Sequence, residues 1–262
     1  MSIAARLGPH TTIDLDRVLF IERVETRWFD KEDGLTTRLV DHVRGVRPSA
    51  HGGFDPALRW HLSLTNLEDL GPRVLFDLAK MDGLSEIRKL TLDLSCNRTM
   101  QGLGALLAAP GMASLEWLYL SHAHDVRREP PPDGAALVDA LRDARPRLRA
   151  LECGGFTWNR ASCEAVHHVA ALASLECLSL AACRFADDSL PALFPPSSPI
   201  RLRELSISDT DISDALIRRL CDTAVLVDVE ELALWGHRLT TAQASTLQER
   251  FGSRLRGDEP RR

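Results

Sequence analysis

Apolar and polar positions along this chain fall into one recurring frame. Leu202–Ile212 reads Leu-x-x-Leu-x-Ile-x-x-Thr-x-Ile, with mostly polar residues between. The frame returns at Leu175 (LECLSLAACRF), Val229 (VEELALWGHRL), Leu148 (LRALECGGFTW), Leu115 (LEWLYLSHAHD) and Ile87 (IRKLTLDLSCN), with a weaker copy from Arg59 (RWHLSLTNLED). In chain order the starts are 28, 28, 33, 27, 27 and 27 residues apart. Self-similarity at a fixed period of this size predicts stacked supersecondary units. The Leu-x-Leu core alternates with period two, as in a short strand with one buried face.

Between the strands lie helical stretches. The pattern predicts them over 71–80, 101–109, 133–144, 161–172, 187–194, 213–223 and 240–250. Asp187 and Ser213 are placed to cap, and Thr240-Thr241-Ala242-Gln243 has the form of a capping box. Pro195-Pro196-Ser197-Ser198-Pro199 ends the fifth helical stretch early, because proline removes a donor and clashes inside a helix. Strand, loop, helix, strand in the same sense gives parallel neighbours. Helices about 10 Å wide against a strand spacing of about 4.8 Å would curve such a stack into a horseshoe, strands inside.

Residues 1–57 do not carry the repeat and are read as an N-terminal capping segment, since a terminal repeat would expose a raw apolar end. Within it, Asp16–Val24 fits a strand or a helix, and Leu35, Leu39 and Val43 share one helical face. Residues 47–56, rich in Gly, Pro and His, form the join. Residues 58–262 are then one repeat domain of about seven turns with a short C-terminal cap or tail.

Composition narrows the partners. The net charge of −5 comes with no basic run, which argues against nucleic acid. The first residues, MSIAARLGPHTT, lack a charged head followed by an apolar run of secretory length. No stretch approaches the roughly 18 apolar residues of a membrane span. Cys96, Cys153, Cys163, Cys177, Cys183 and Cys221 form no C-x-x-C pair and read as reduced, mostly buried residues of a cytoplasmic protein. Lys31, Lys80 and Lys89 are the only lysines, and this arginine bias points to a GC-rich bacterial source.

From Arg59 to about residue 250 the chain resembles the leucine-rich repeat family, and the 27–28-residue period with a helical outer side is similar to its ribonuclease-inhibitor-like subclass. The resemblance implies an α/β solenoid that binds another protein through its concave parallel sheet and adjacent loops. One column departs from the family. Its ninth position favours Asn or Cys, whereas here that column reads Leu67, Ser95, Ala123, Phe156, Cys183, Thr210 and His237. Only Cys183 conforms, so less regular loop turns are expected. The second frame also fits with a shift of two residues, as Leu92-x-Leu94-x-x-Asn97.

The third, fifth and seventh positions of each frame should leave the core on the inner face. They place Lys89, Trp117, Tyr119, Glu152, Glu204, Glu231 and Trp235 there with Asp93, and His122 just beyond the third strand. Aromatic anchors flanked by acids suit a basic protein surface. The bland reading is a solvated sheet face of mixed polar residues. Trp158, at the eleventh position, should be core, and Trp28 and Trp60 cap or core. The third repeat carries five extra residues within 122–134 (HAHDVRREPPPDG), either a functional loop or a tolerated insertion.

Enzymatic signals are weak. Gly102-x-Gly104 lacks the third glycine of a phosphate-binding turn. His122-x-His124 and His167-His168 have no carboxylate or thiolate at ligand spacing. No nucleophile elbow, metalloprotease or kinase set occurs. The sequence therefore predicts a non-enzymatic protein-binding module without a cofactor. The alternatives are an inhibitor or immunity-type protein that blocks a nuclease or toxin, and a GTPase-regulating repeat protein.

Overall fold

A computed structural model describes residues 3–8, 11–15, 20–21, 60–64, 73–80, 84–93, 97–122, 130–210, 212–237 and 239–257. The chain is α/β, with parallel strands joined through helices, and it divides into two compact units. One unit comprises Met1–Pro130 and Asp139–Pro146, the other Pro131–Val138 and Arg147–Arg262. The expected boundary at 57/58, the helical face of Leu35, Leu39 and Val43, and Trp28 all lie outside the described residues.

In the first unit β1 (Ile3–Gly8) and β2 (Thr11–Leu15) form an antiparallel pair. β3 (Phe20–Ile21) resolves the ambiguity of Asp16–Val24 in favour of a strand at those two residues. β4 (Trp60–Leu64), α1 (Arg73–Leu78), β5 (Ile87–Asp93), α2 (Asn97–Ala108) and β6 (Trp117–Ser121) follow. β3, β4, β5 and β6 pair in that order, all parallel. Lys89 pairs with Trp117 and Leu90 with Leu118, so the second frame is the unshifted one. Leu90, Leu92, Leu118 and Leu120 are buried, as the alternation requires.

Helix α3 (Gly134–Arg142) contributes residues to both units. In the second unit β7 (Ala150–Gly154), β8 (Thr157–Trp158) and α4 (Arg160–Ala165) are followed by β9 (Cys177–Ala181) and β10 (Arg184–Phe185). Then come β11 (Glu204–Ser208), α5 (Asp214–Asp222), β12 (Glu231–Trp235), α6 (Thr241–Phe251) and β13 (Leu255–Gly257). β7, β9, β11, β12 and β13 pair in that order, all parallel, and β8 pairs with β10 beside them. The first, fourth and sixth positions of each frame form the core: Leu148, Leu151 and Cys153, then Leu175, Leu178 and Leu180, then Leu202, Leu205 and Ile207, then Val229, Leu232 and Leu234. Each such leucine stabilises the fold by about 1.5–3 kcal/mol relative to exposure. Trp158 is core as expected, 3% exposed, and stacks on Phe185 with ring centroids 6.3 Å apart.

The capping signals at the last two helices act as read. Ser213 accepts from the Leu216 N–H, and Thr240 and Gln243 form the reciprocal capping box. Two other helical expectations need correction. The stretch 187–194 forms only two short 3₁₀ turns, Ala186–Asp188 and Leu190–Leu193, with Asp187 inside the first rather than capping a helix. An α-helix there would need a donor from Pro191, which has none. The stretch 161–172 is helical only to Ala165, and the extended Val169 (φ −87°, ψ 113°) separates the two 3₁₀ turns that follow.

Candidate functional site

Alternation along β6 decides what its outer face offers. Leu118 and Leu120 anchor the strand in the core, so Trp117 and Tyr119 are held outward, 43% and 37% exposed. Residues two apart on one strand face stand about 7 Å apart. Lys89 of β5, paired with Trp117 on the adjacent strand, places Nζ 5.5 Å from the indole centroid, within cation–π reach. Thr91 and Ser121 border the aromatic pair on the same face, and His122 follows, half-buried. Asp93 pairs in register with Ser121, while its side chain and that of Trp60 lie outside the described ones.

The second unit carries the other sequence candidates. Glu204 and Glu231 are both exposed and sit opposite each other on β11 and β12. Like charges directly opposite are unfavourable, and neither carboxylate has an ion-pair partner among the described residues. Glu152 is half-buried beside Ser179, and Trp235 ends β12, 46% exposed, opposite Ser208. Cys177 lies between Ala150 and Glu204 on this face; burial, followed by the charge of Glu204, pushes its thiol up to about 11. Two residues depart from the expected outward face, since Ala150 and Ala233 are buried, 4% and 5% exposed. Both are methyl side chains too short to rise above their neighbours. The candidates thus form two groups, one in each unit: Lys89, Trp117, Tyr119 and His122, and Glu152, Glu204, Glu231 and Trp235.

The second position of the frame was not singled out from sequence, yet it holds an alternating charge column. Arg149 donates to Glu176 at 2.7 Å, and Arg203 donates through Nε to Glu230 at 2.9 Å. Hydrogen bonds from Arg149 hold the Glu176 carboxyl below its ordinary value. Reading the aligned frames down this column, Arg-Glu-Arg-Glu, would have revealed it. These charges neutralise one another, whereas those of Glu204 and Glu231 do not.

The loop turns of the second unit are regular, against the expectation drawn from the ninth column. The eighth residue of each frame takes a positive φ: Gly155 (77°), Ala182 (51°), Asp209 (50°) and Gly236 (73°). Each of the first three donates its N–H to the next turn, to the carbonyls of Ala181, Ser208 and Trp235 at 2.8, 2.9 and 3.0 Å. The ninth residue then turns inward. Cys183 Sγ donates to the Cys153 carbonyl at 3.5 Å, Thr210 Oγ1 to that of Cys183 at 3.3 Å, and His237 Nε2 to that of Ile207 at 2.9 Å. Thiol, hydroxyl and imidazole do one job, satisfying buried carbonyls that would otherwise cost free energy. The residue type varied while the donor was kept, so a search for Asn or Cys missed it. The insertion in the third repeat ends on this side, where the Thr157 N–H donates to the Pro132 carbonyl at 2.9 Å. Its residues 123–129 lie outside the described ones.

No three His, Cys, Asp or Glu side chains among the described residues converge as a metal site requires. No described helix is long and apolar enough to cross a membrane. The outward side chains of the two strand faces offer aromatic and charged contact area. Compared with known proteins, the chain matches no family model and no curated protein.

Proposed function

We propose that this protein is a leucine-rich-repeat solenoid of the ribonuclease-inhibitor-like kind, working in the cytoplasm as a non-enzymatic binding module for another protein. The observation that carries the reading is the pair Trp117 and Tyr119, exposed side by side on a strand face beside Lys89. Large rigid aromatics are the side chains that most often anchor protein interfaces. Their strand is locked by buried leucines, so little ordering cost remains for association. Glu204 and Glu231, without an ion-pair partner among the described residues, favour a basic partner surface and would speed encounter at low salt. The same two carboxylates support a second reading, an inhibitor of a basic nuclease or toxin, since enzymes that handle nucleic acid present clustered Lys and Arg.

The test compares proteins that co-purify with the wild type and with Trp117→Ala/Tyr119→Ala from the source cell. The double variant should melt like the wild type and lose its principal partner. A partner retained in full by the double variant refutes the reading. A single basic enzyme, inhibited on binding, selects the inhibitor over the general binding module.

A further inference from the structure

At the far end of the second unit lies a mostly apolar hollow of about 610 Å³. That volume is within the range of ligand and peptide sites. Its floor is Leu234, Leu239 and Leu255, and one wall is a face of α6. Thr241, Ala244, Gln248 and Glu249 line that wall at helical spacing, so they share one stripe. Arg256 of β13 stands across from them, and neither it nor Glu249 has an ion-pair partner among the described residues.

The repeat itself says what shape fits here. Moving back one period of 27 residues carries Thr241 to Asp214, Ala244 to Ile217, Gln248 to Cys221 and Glu249 to Asp222. That is the face of α5 on which α6 sits. There Gln243 Nε2 donates to Asp214 Oδ1 at 2.7 Å, and Arg250 Nε donates to the Cys221 carbonyl at 3.1 Å. Leu247 and Phe251 of α6 are buried at 0% and 2% exposure. The helical wall of the hollow is the same face, one repeat further on.

We propose that the hollow is a docking site for an amphipathic α-helix of a partner protein, lying beside α6 as α6 lies beside α5. The incoming helix puts two apolar side chains on the leucine floor, in the manner of Leu247 and Phe251. A cation near its C-terminal end meets the Gln248 carbonyl and the Glu249 carboxylate, as Arg250 meets the Cys221 carbonyl. An acidic residue on its other flank meets Arg256. Helix-in-groove recognition of this kind needs only a preformed groove and a stripe of anchors. The site is independent of the sheet-face aromatics.

The probe is a fluorescein-labelled, hydrocarbon-stapled peptide of residues 240–251, because that segment already fills the equivalent seat; stapling offsets the weak helicity of a peptide this short. Titrated with the full chain, its anisotropy should rise with a dissociation constant on the order of tens of micromolar. Ser245 is exposed on the wall, so Ser245→Trp fills the hollow without touching the core and should weaken binding at least about tenfold, roughly 1.4 kcal/mol. Glu249→Lys should weaken it several-fold, with the effect shrinking as salt rises. Absence of binding to the wild type, or equal binding to Ser245→Trp, overturns the assignment. So does a concentration-dependent dimer in light scattering that Ser245→Trp abolishes, since a second copy would then be the occupant.

Discussion

If Cys183, Thr210 and His237 at the ninth position serve to satisfy a carbonyl of the preceding turn, Thr210→Val is the cleanest test. Valine nearly matches threonine in shape and removes only the hydroxyl. Thr210 is 7% exposed, and its Oγ1 lies 3.3 Å from the Cys183 carbonyl and 3.1 Å from that of Ser208. A typical buried hydrogen bond contributes about 1 kcal/mol net, and an acceptor stranded without a partner costs about 1–3 kcal/mol. Two carbonyls share this one donor, so the loss should fall in the lower half of that range, about 1–2 kcal/mol. For a domain of this size each kcal/mol moves the melting midpoint by roughly 2–4 °C, giving a fall of about 2–8 °C. Thr246→Val is the matched control. Its hydroxyl also donates to a carbonyl, that of Ala242 at 3.0 Å, but on the exposed side of α6, where water replaces it. That variant should stay within about 0.5 kcal/mol of the wild type. Thermal unfolding followed by circular dichroism reads both. If the two variants melt alike, the inward hydroxyl adds nothing that water could not, and the polar column is incidental.

Other consequences are as specific. A Cβ on Gly134 would stand closer than 3.0 Å to three atoms of the Trp158 ring, which is held in the core against Phe185. Gly134→Ala should therefore destabilise by about 1–3 kcal/mol in urea unfolding, opposite in sign to the roughly 1 kcal/mol gain of alanine in an unobstructed helix. Burial keeps the His167 imidazole below its ordinary value, against the opposing pull of the Leu193 carbonyl. The folded chain thus binds that proton more weakly than the unfolded one. The stabilising contribution is complete above the ordinary imidazole range and is lost as pH falls through and below it. His167→Asn should flatten the fall in melting midpoint between about pH 7 and pH 5; an unchanged slope would remove His167 as its source. With its thiol near 11, Cys177 should alkylate far more slowly at pH 7.4 than an unhindered cysteine despite its half-exposure. Glu204→Gln should speed it, as read by mass spectrometry of the modified peptide, and no acceleration would leave burial as the sole cause.

The parts of the fold legible in the sequence are those where each residue answers to a repeated neighbour. All seven predicted strands form, because a leucine at the fourth and sixth positions has one buried place to go and a slip of one residue would invert the strand. Ser213 and Thr240 were legible for the same reason, since a cap is a local bargain between a side chain and the N–H groups just beyond it. The stretch 187–194 was not, because the apolar spacing of a helix survives in a pair of 3₁₀ turns, and only Pro191 carries the difference. The outward columns follow from alternation alone, which is why Trp117, Tyr119, Glu204, Glu231 and Trp235 stand where expected. Alternation gives direction without depth, however, and Ala150 and Ala233 show that a short side chain on the outer face can still be covered. The ninth column teaches the reverse. Searching for Asn or Cys treats the residue usual in leucine-rich repeats as the requirement, whereas the physics asks only for a donor of the right reach. Thr210 and His237 meet that need by different chemistry. It follows that a repeat is better sought through the backbone groups its side chains must satisfy than through the letters that usually satisfy them. By that criterion Arg203 with Glu230, and Arg149 with Glu176, are as much part of the repeat as its leucines, though no leucine pattern contains them.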